Sequence, residues 1–401
     1  MLSRTEPLRQ AISDVFPERP FTVTFWDGTS LPSTSGDGPV FDVRSPRALA
    51  YALSAPGQLG IGRAYVAGDL VPDDMDKALH VVGHWQPPAI DRKTQARLAL
   101  AAVRAAGVQK PPRIPDAELR PAGRRHSLAR DQRAVRHHYD VSNEFFAHFL
   151  DASMTYSCAV WDRGATTLEE AQFEKLDMVC RKLDLKEGDR VLDIGCGWGS
   201  FAQHAAREYG ARVLGITLSP PQAELAAERA RDAGLSDKVE FQVRDYRDLP
   251  DAQFDAVSSI GMVEHVGSRN IDAYMANILR VLKPGGRLLN HGIARVRHGD
   301  GEAGPFSERY VFPDGAPLHL SRVILAMERS RYVVDHVEGL HGNYERTLAE
   351  WTRRLESDLD RARALVGPER LRVWQLYLRA ARNGFETRFL STFQVRAHKP
   401  D

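Results

Sequence analysis

Between Arg190 and Phe201 the chain reads RVLDIGCGWGSF, an apolar run (Val191, Leu192, Ile194) closed by three alternating glycines, Gly195, Gly197 and Gly199. Phe201, Ala202, Ala205 and Ala206 then recur at helical spacing up to Gly210. This is a strand, a tight turn and a helix. Glycine at such a turn lets the backbone take positive φ and lets a ligand approach it closely. Dinucleotide-binding folds place G-x-G-x-x-G there, with an acid about 20 residues on for the ribose hydroxyls. In this chain the spacing is G-x-G-x-G behind Asp193, and the later position holds Gly215-Ile-Thr-Leu-Ser219 without an acid. That argues against nicotinamide chemistry. A glycine-rich strand exit that binds nothing is the alternative when the turn is taken alone.

Such a turn needs a sheet behind it. From Asp189 onward strands alternate with helices: Val191–Ile194, Val213–Thr217, Val239–Val243, Phe254–Ile260 and Arg287–Ile293 against Phe201–Tyr209, Pro221–Ala233 and Ile271–Leu282. The alternation predicts an α/β fold with a parallel sheet of right-handed crossovers. Ligands of such sheets sit at the carboxyl ends of the strands, where Gly195, Thr217, Asp245 and Glu264 fall. Residues 296 to about 350 break the alternation. Their Leu318, Val323, Ile324 and Met327 form an apolar surface that either roofs a pocket for a greasy substrate or adds to the core. Trp351–Leu365 reads as one amphipathic helix, Leu371–Leu378 begins another, and Leu390–Val395 closes the chain as a strand.

The remainder divides by composition. Residues 1–86 alternate as a small α+β domain, with strands at Phe21–Trp26 and Val40–Val43 and a helix from Ser45-Pro46 to Leu53. Residues 87–128 are rich in proline and arginine and read as a basic connector. It is either a solvated linker helix or a footing on anionic lipid, worth on the order of 1 kcal/mol per cation near such a surface. It lacks interleaved aromatics for base stacking, which argues against nucleic acid. Residues 129–401 form the third segment, where Phe145, Phe146 and Phe149 are expected in the core and Thr167-Leu-Glu-Glu170 opens a helix toward Leu183. A net charge of +1 selects no partner class. Three cysteines, odd in number and not spaced as metal ligands, read as reduced thiols in the cytoplasm. The most apolar segment, Leu98–Val108, is interrupted by Arg104 and too short to span a bilayer.

The assembled motifs resemble the cyclopropane fatty acid synthase family, which includes the mycolic acid cyclopropane synthases. The matching stretches are His138-Tyr-Asp140, Tyr156-Ser-Cys158, Val191–Phe201, Gly215–Ser219 with Gln222, Asp245-Tyr-Arg-Asp248, Met262–Gly267, Leu282–Gly286, His291 with Ile293, and Tyr344–Leu348. The resemblance implies a class I methyltransferase Rossmann-like sheet with a lipid-pocket insertion, plus a small N-terminal α+β domain. It implies S-adenosylmethionine at Tyr156, Ser157, Gly195, Gly197, Thr217, Leu218, Gln222, Asp245 and Tyr246, with Asp245 accepting from the adenine amine. It also implies bicarbonate at Glu264, His291, Tyr344, Ile293 and the backbone of Cys158, and no metal. Two departures stand out: Leu289-Asn290 precedes His291 where relatives carry two aliphatic residues, and Ala380–Phe385 lacks the cysteine of many phospholipid-directed members.

By this resemblance a cis alkene of a phospholipid acyl chain attacks the sulfonium methyl, and a base removes a proton from the resulting cation. Loss from the new methyl closes a cyclopropane ring. Loss from the chain leaves a methylene branch, which a partner reductase would convert to methyl. The implied setting is the cytoplasmic face of the membrane, peripherally attached, with a homodimer also compatible. A small-molecule N- or O-methyltransferase and a non-catalytic lipid-binding module are the competing readings. Taken singly, Glu264 also reads as an acid favoured by a helix N-terminus, and His291 as a satisfied core residue. Cys158 has no evident base for nucleophilic work, Cys196 reads as a packed turn residue and Cys180 as a helix-face residue.

Overall fold

The computed structural model describes residues 3–107, 110–120, 123, 127, 130, 133, 142–249, 251–298, 304–315 and 317–401. The His138-Tyr-Asp140 motif and its neighbour His137 lie outside these residues. The chain divides into two compact units, one of Met1–Arg120, Gly304–Val311 and Val366–Asn383, the other of Pro121–Ala303, Phe312–Leu365 and Gly384–Asp401.

The first unit holds a four-stranded sheet in the order β2-β1-β3-β4, made of β1 (Thr22–Phe25), β2 (Ser30–Leu31), β3 (Val40–Val43) and β4 (Leu70–Pro72). Its core gathers Leu8, Phe25, Val43 and Tyr51 with Ala101, Ala102 and Ala105. These alanines belong to the helix Arg92–Ala106, so the basic stretch after residue 86 contributes a packed face as well as its cations. The glycine-rich segment around Tyr65 is a helix, Gln58–Ala67. Its glycines make room: a Cβ on Gly62 would lie 2.3 Å from the Phe306 ring.

The second unit holds the eight-stranded sheet. Its order is β11-β12-β9-β8-β5-β6-β7, from β5 (Arg190–Ile194), β6 (Arg212–Thr217), β7 (Val239–Val243), β8 (Phe254–Ile260), β9 (Leu282–Arg295), β11 (Val333–Gly339) and β12 (Leu390–His398), with the short β10 (Leu318–His319) beside β9. Strands β7, β6, β5, β8 and β9 pair in parallel as their alternation with helices requires. The sheet as a whole is mixed, because β12 and β11 add antiparallel to the β9 edge. Strand β11 reads VVDHVEG with Val333 and Val337 exposed, so it lacks the buried alternation by which a strand declares itself.

Helices cover both faces of the sheet. One layer of core joins Leu192, Ile194 and Val257 to the helix Ile271–Val281, and the other joins Val191, Val213 and Ala256 to the helices Leu168–Lys182 and Ser200–Tyr209. Leu318, Val323 and Met327 are buried in the first layer with Ile324 against it. These side chains thus add to the core. The helix expected over Trp351–Leu365 is broken. Asn343–Glu356 ends, and Asp358 restarts the chain by accepting the Arg361 N–H at 3.0 Å, a side-chain cap that satisfies an orphan donor. Phe145, Phe146 and Phe149 are fully buried, and Thr167 and Glu170 form the reciprocal capping box. Among the described residues no helix is long and apolar enough to cross a membrane.

Candidate active site

The glycine turn is tied to its neighbouring strand, for the N–H groups of Gly195 and Cys196 both donate to the Ile216 carbonyl, at 2.9 and 3.0 Å. Gly195 has φ +78°, and a Cβ there would meet Met262 Sδ at 2.4 Å. Gly197 also has positive φ, +54°, but a Cβ there would meet nothing within 4 Å. A side chain on the first glycine would press on Met262; the second faces open space.

That space is a cavity at the carboxyl ends of β5 and β6. Tyr156, Ser157, Gly195, Gly197, Thr217, Leu218, Gln222 and Tyr246 all line it. Thr217 Oγ1 donates to Gln222 Oε1 at 2.9 Å and accepts the Ser219 N–H at 3.2 Å, which fixes two buried polar side chains side by side. Asp245 is not among the lining residues. Its carboxylate caps the 3-10 turn Tyr246–Asp248 and is gripped by the Arg247 guanidinium at 2.7 Å on each oxygen. Arg247 lines the cavity in its place.

Asp193 and Lys175 are among the lining residues absent from the expected set. Asp193 is buried in β5, and its Oδ2 has no hydrogen-bond partner. Burial pushes its carboxyl up to about 7, against the opposing pull of Ser258 and Lys175. Lys175 is 1% exposed, donates to Ser157 Oγ at 2.9 Å, and is pushed down by burial to about 8. Its signal was available in the sequence, because a helical projection sets it among Leu168, Ala171 and Val179 on the buried face of its helix. A lysine there needs a partner or a task.

Beyond the cavity lies a second group. The helix Val263–Val266 follows the lining residue Met262, contributes His265 and Val266 to the lining, and carries the buried Glu264. Glu264 Oε1 accepts the Ile293 N–H at 2.6 Å, and Oε2 is buried without a partner. Burial pushes this carboxyl up to about 7. His291, two residues before Ile293 on β9, is buried with Nε2 unpartnered and is pushed down by burial to about 3. Cys158 follows the lining residue Ser157 and touches Thr392, the cross-strand partner of Ile293. Its thiol is pushed up to about 12 by burial, which rules out a thiolate nucleophile near neutral pH.

Glu264 is thus joined to the backbone of Ile293, His291 lies two residues back on the same strand, and Cys158 touches the residue paired with Ile293. Tyr344 opens the helix Asn343–Glu356 and stacks on Phe385 at 4.6 Å. That helix is bound to the same loop, because Thr347 accepts the Ala159 N–H at 3.2 Å and the Trp161 indole at 3.0 Å. Cys180 and Cys196 are buried and free.

A largely parallel sheet with helices on both faces and a cavity at its central glycine turn defines a class I S-adenosylmethionine-dependent methyltransferase. More narrowly, the chain belongs to the mycolic acid cyclopropane synthetase family, whose model matches residues 126–395. It is 40% identical over 402 residues to a probable fatty acid methyltransferase of Mycobacterium tuberculosis, covering 96% of this chain and 92% of that protein. It is 40% identical over 258 residues to the cyclopropane-fatty-acyl-phospholipid synthase of Escherichia coli K12, covering 64% of this chain and 65% of that one. Among solved structures it resembles mycolic acid cyclopropane synthase CmaA1 complexed with SAH and CTAB, with TM-score 0.63, 29% identity, and coverage of 67% of this chain and 98% of that one. The protein is an S-adenosylmethionine-dependent methyltransferase of the cyclopropane synthase family.

Proposed function

We propose that the protein transfers a one-carbon unit from S-adenosylmethionine to the cis double bond of an unsaturated phospholipid acyl chain and forms a cyclopropane ring, with bicarbonate held beside the reacting carbon. The observation that carries this reading is the pair of buried, unpartnered atoms Glu264 Oε2 and His291 Nε2, on residues linked through the His291–Ile293 stretch of β9. Buried polar atoms are rarely left unsatisfied, and a small anion meets both.

The cavity residues fit the cofactor. Asp193 Oδ2 and Lys175 Nζ are an unpartnered carboxylate oxygen and a buried ammonium, suited to the two charges of an amino-acid end. Thr217 and Gln222 take ribose hydroxyls, Gly197 leaves the room, and Leu218 and Tyr246 flank the base. Asp245 acts at one remove, by setting Arg247. When bound, S-adenosylmethionine supplies an electrophilic methyl on its sulfonium.

The chain's residues then do three things. Phe146 packs on Tyr156 and Trp198, at 5.3 and 4.8 Å, and keeps water from a cationic acyl carbon. His291 and the Ile293 segment position the anion. Glu264 Oε2 would accept the proton lost from the substrate on its way out of the site, and a carboxyl near 7 is matched to that task. The helix Arg92–Ala106 carries four cations and no acid, which supports peripheral attachment to an anionic, cytoplasm-facing membrane surface.

A second reading, a methylene branch later reduced by a partner, is favoured by the relative that spans nearly the whole chain and is described as a probable fatty acid methyltransferase. Incubation with oleoyl phospholipid vesicles and isotopically labelled S-adenosylmethionine separates the two. Ring protons in the NMR spectrum of the product support cyclopropanation, and vinyl protons support the branch. Turnover in bicarbonate-depleted buffer should fall and recover when bicarbonate is restored. Transfer only to a polar small molecule would overturn both readings.

A further inference from the structure

His291 and Gln394 face each other across the antiparallel pairing of β9 with β12. Both are buried, at 2% and 0% exposure. Gln394 Nε2 lies 3.0 Å from His291 Nδ1, and Lys182 Nζ lies 2.5 Å from Gln394 Oε1. A lysine ammonium has donors and no acceptor, so the amide oxygen must face Lys182 and the amide NH2 must face the histidine. An NH2 group donates, which makes Nδ1 the acceptor and leaves it without a proton. A neutral imidazole then carries its proton on Nε2, the atom buried without a partner.

The outer end of this relay is held as well. Lys182 is bound by Glu338, which also accepts from Arg163 at 3.0 Å. The charged groups that act on the ring, Lys175 and Lys182 of the helix Leu168–Lys182, oppose its protonation, and burial opposes it more strongly. Glu264, linked to the same strand, has one oxygen committed to the Ile293 N–H.

We propose that Lys182 and Gln394 are positioning residues that fix His291 as a neutral imidazole with its single proton on Nε2, making it a hydrogen-bond donor to an anion and not the base of the reaction. The inference deepens the reading above, in which that anion is bicarbonate, and rests on it for the role of the donor. The tautomer itself follows from the amide relay and is read without anion or substrate.

The test is NMR on full-length protein labelled with ¹⁵N-histidine, with the His291 signals assigned by their loss in His291→Asn. At about pH 7, the one protonated nitrogen of His291 should be Nε2, and the ring should stay neutral down to about pH 5. Gln394→Glu offers Nδ1 an acceptor, so it should move the proton to Nδ1 or charge the ring, with turnover falling on the order of tenfold. Lys182→Arg, which also presents only donors, should keep the wild-type tautomer, whereas Lys182→Met should give a mixture. A wild-type ring protonated on Nδ1, an imidazolium at neutral pH, or a Gln394→Glu spectrum unchanged from wild type would each overturn the inference. Failure of acyl-chain alkylation with the Nε2–H tautomer intact would instead count against the proposed function.

Discussion

Glu264 spends one carboxylate oxygen on the Ile293 N–H at 2.6 Å and keeps the other buried without a partner. A structural acid would use both. Replacing it by Gln preserves shape and the first hydrogen bond while removing the exchangeable proton at Oε2. Turnover should fall by roughly 10²–10⁴-fold, the usual contribution of a positioned proton-transfer group. Affinity for S-adenosylmethionine, measured by calorimetry, should stay within error of wild type, since Glu264 does not line that cavity. Turnover of E264Q near the wild-type rate would remove this residue from the mechanism.

The same carboxyl sets a pH dependence of stability. Its folded-state value, about 7, lies above the ordinary 4.5, so between those values the folded protein holds a proton that the unfolded chain releases. The stabilisation is complete below about 4.5 and is lost as pH rises through 7, by about 3 kcal/mol at most. Thermal melts should therefore show E264Q gaining on wild type as pH rises from about 5 to about 8. A difference in Tm that stays flat with pH would contradict the burial argument.

Asp193 and Lys175 predict a bell-shaped dependence of cofactor affinity. Binding an amino-acid end needs Asp193 ionised and Lys175 protonated, and burial sets these groups at about 7 and about 8. Affinity should be highest between those limits, and because the two groups interact the limbs report the pair. Asp193→Asn should flatten the acid limb and Lys175→Met the alkaline one. Titration calorimetry across the range is the measurement, and unchanged limbs in both variants would exclude these residues from the cofactor's charged end.

Gly195 and Gly197 separate packing from ligand access. Both have positive φ, which costs a side chain roughly 1–2 kcal/mol. Gly195→Ala adds a clash with Met262 Sδ, so it should destabilise the protein to urea by more than Gly197→Ala does. Gly197→Val, whose branches project into open space, should weaken cofactor binding beyond its effect on stability. Equal stability losses for the two alanine variants would show that Met262 yields.

Much of this site was legible in one dimension. The strands β5, β6, β7 and β8 fell within a residue of their expected bounds; β5 and β8 are buried apolar runs, while β7, VEFQV at the sheet edge, shows the alternation of apolar and polar residues. The edge strand β11 was not legible, since Val333 and Val337 face solvent and only Val334 packs on the core. Asp245 illustrates a different limit. Its position at a strand end was readable, but an arginine two residues on captures both its oxygens, and local sequence carries no measure of that competition.

The sequence by itself determined the nucleotide-type turn, the family motifs and the residue types at the strand ends, because each depends on short-range spacing along the backbone. Only the tertiary structure decided which polar atoms stay unpartnered. Burial of Glu264, His291, Asp193 and Lys175 arises from segments as distant as helix Leu168–Lys182 and strand β12. Desolvation and hydrogen-bond satisfaction are set by what packs around a group, and that is a property of the folded chain.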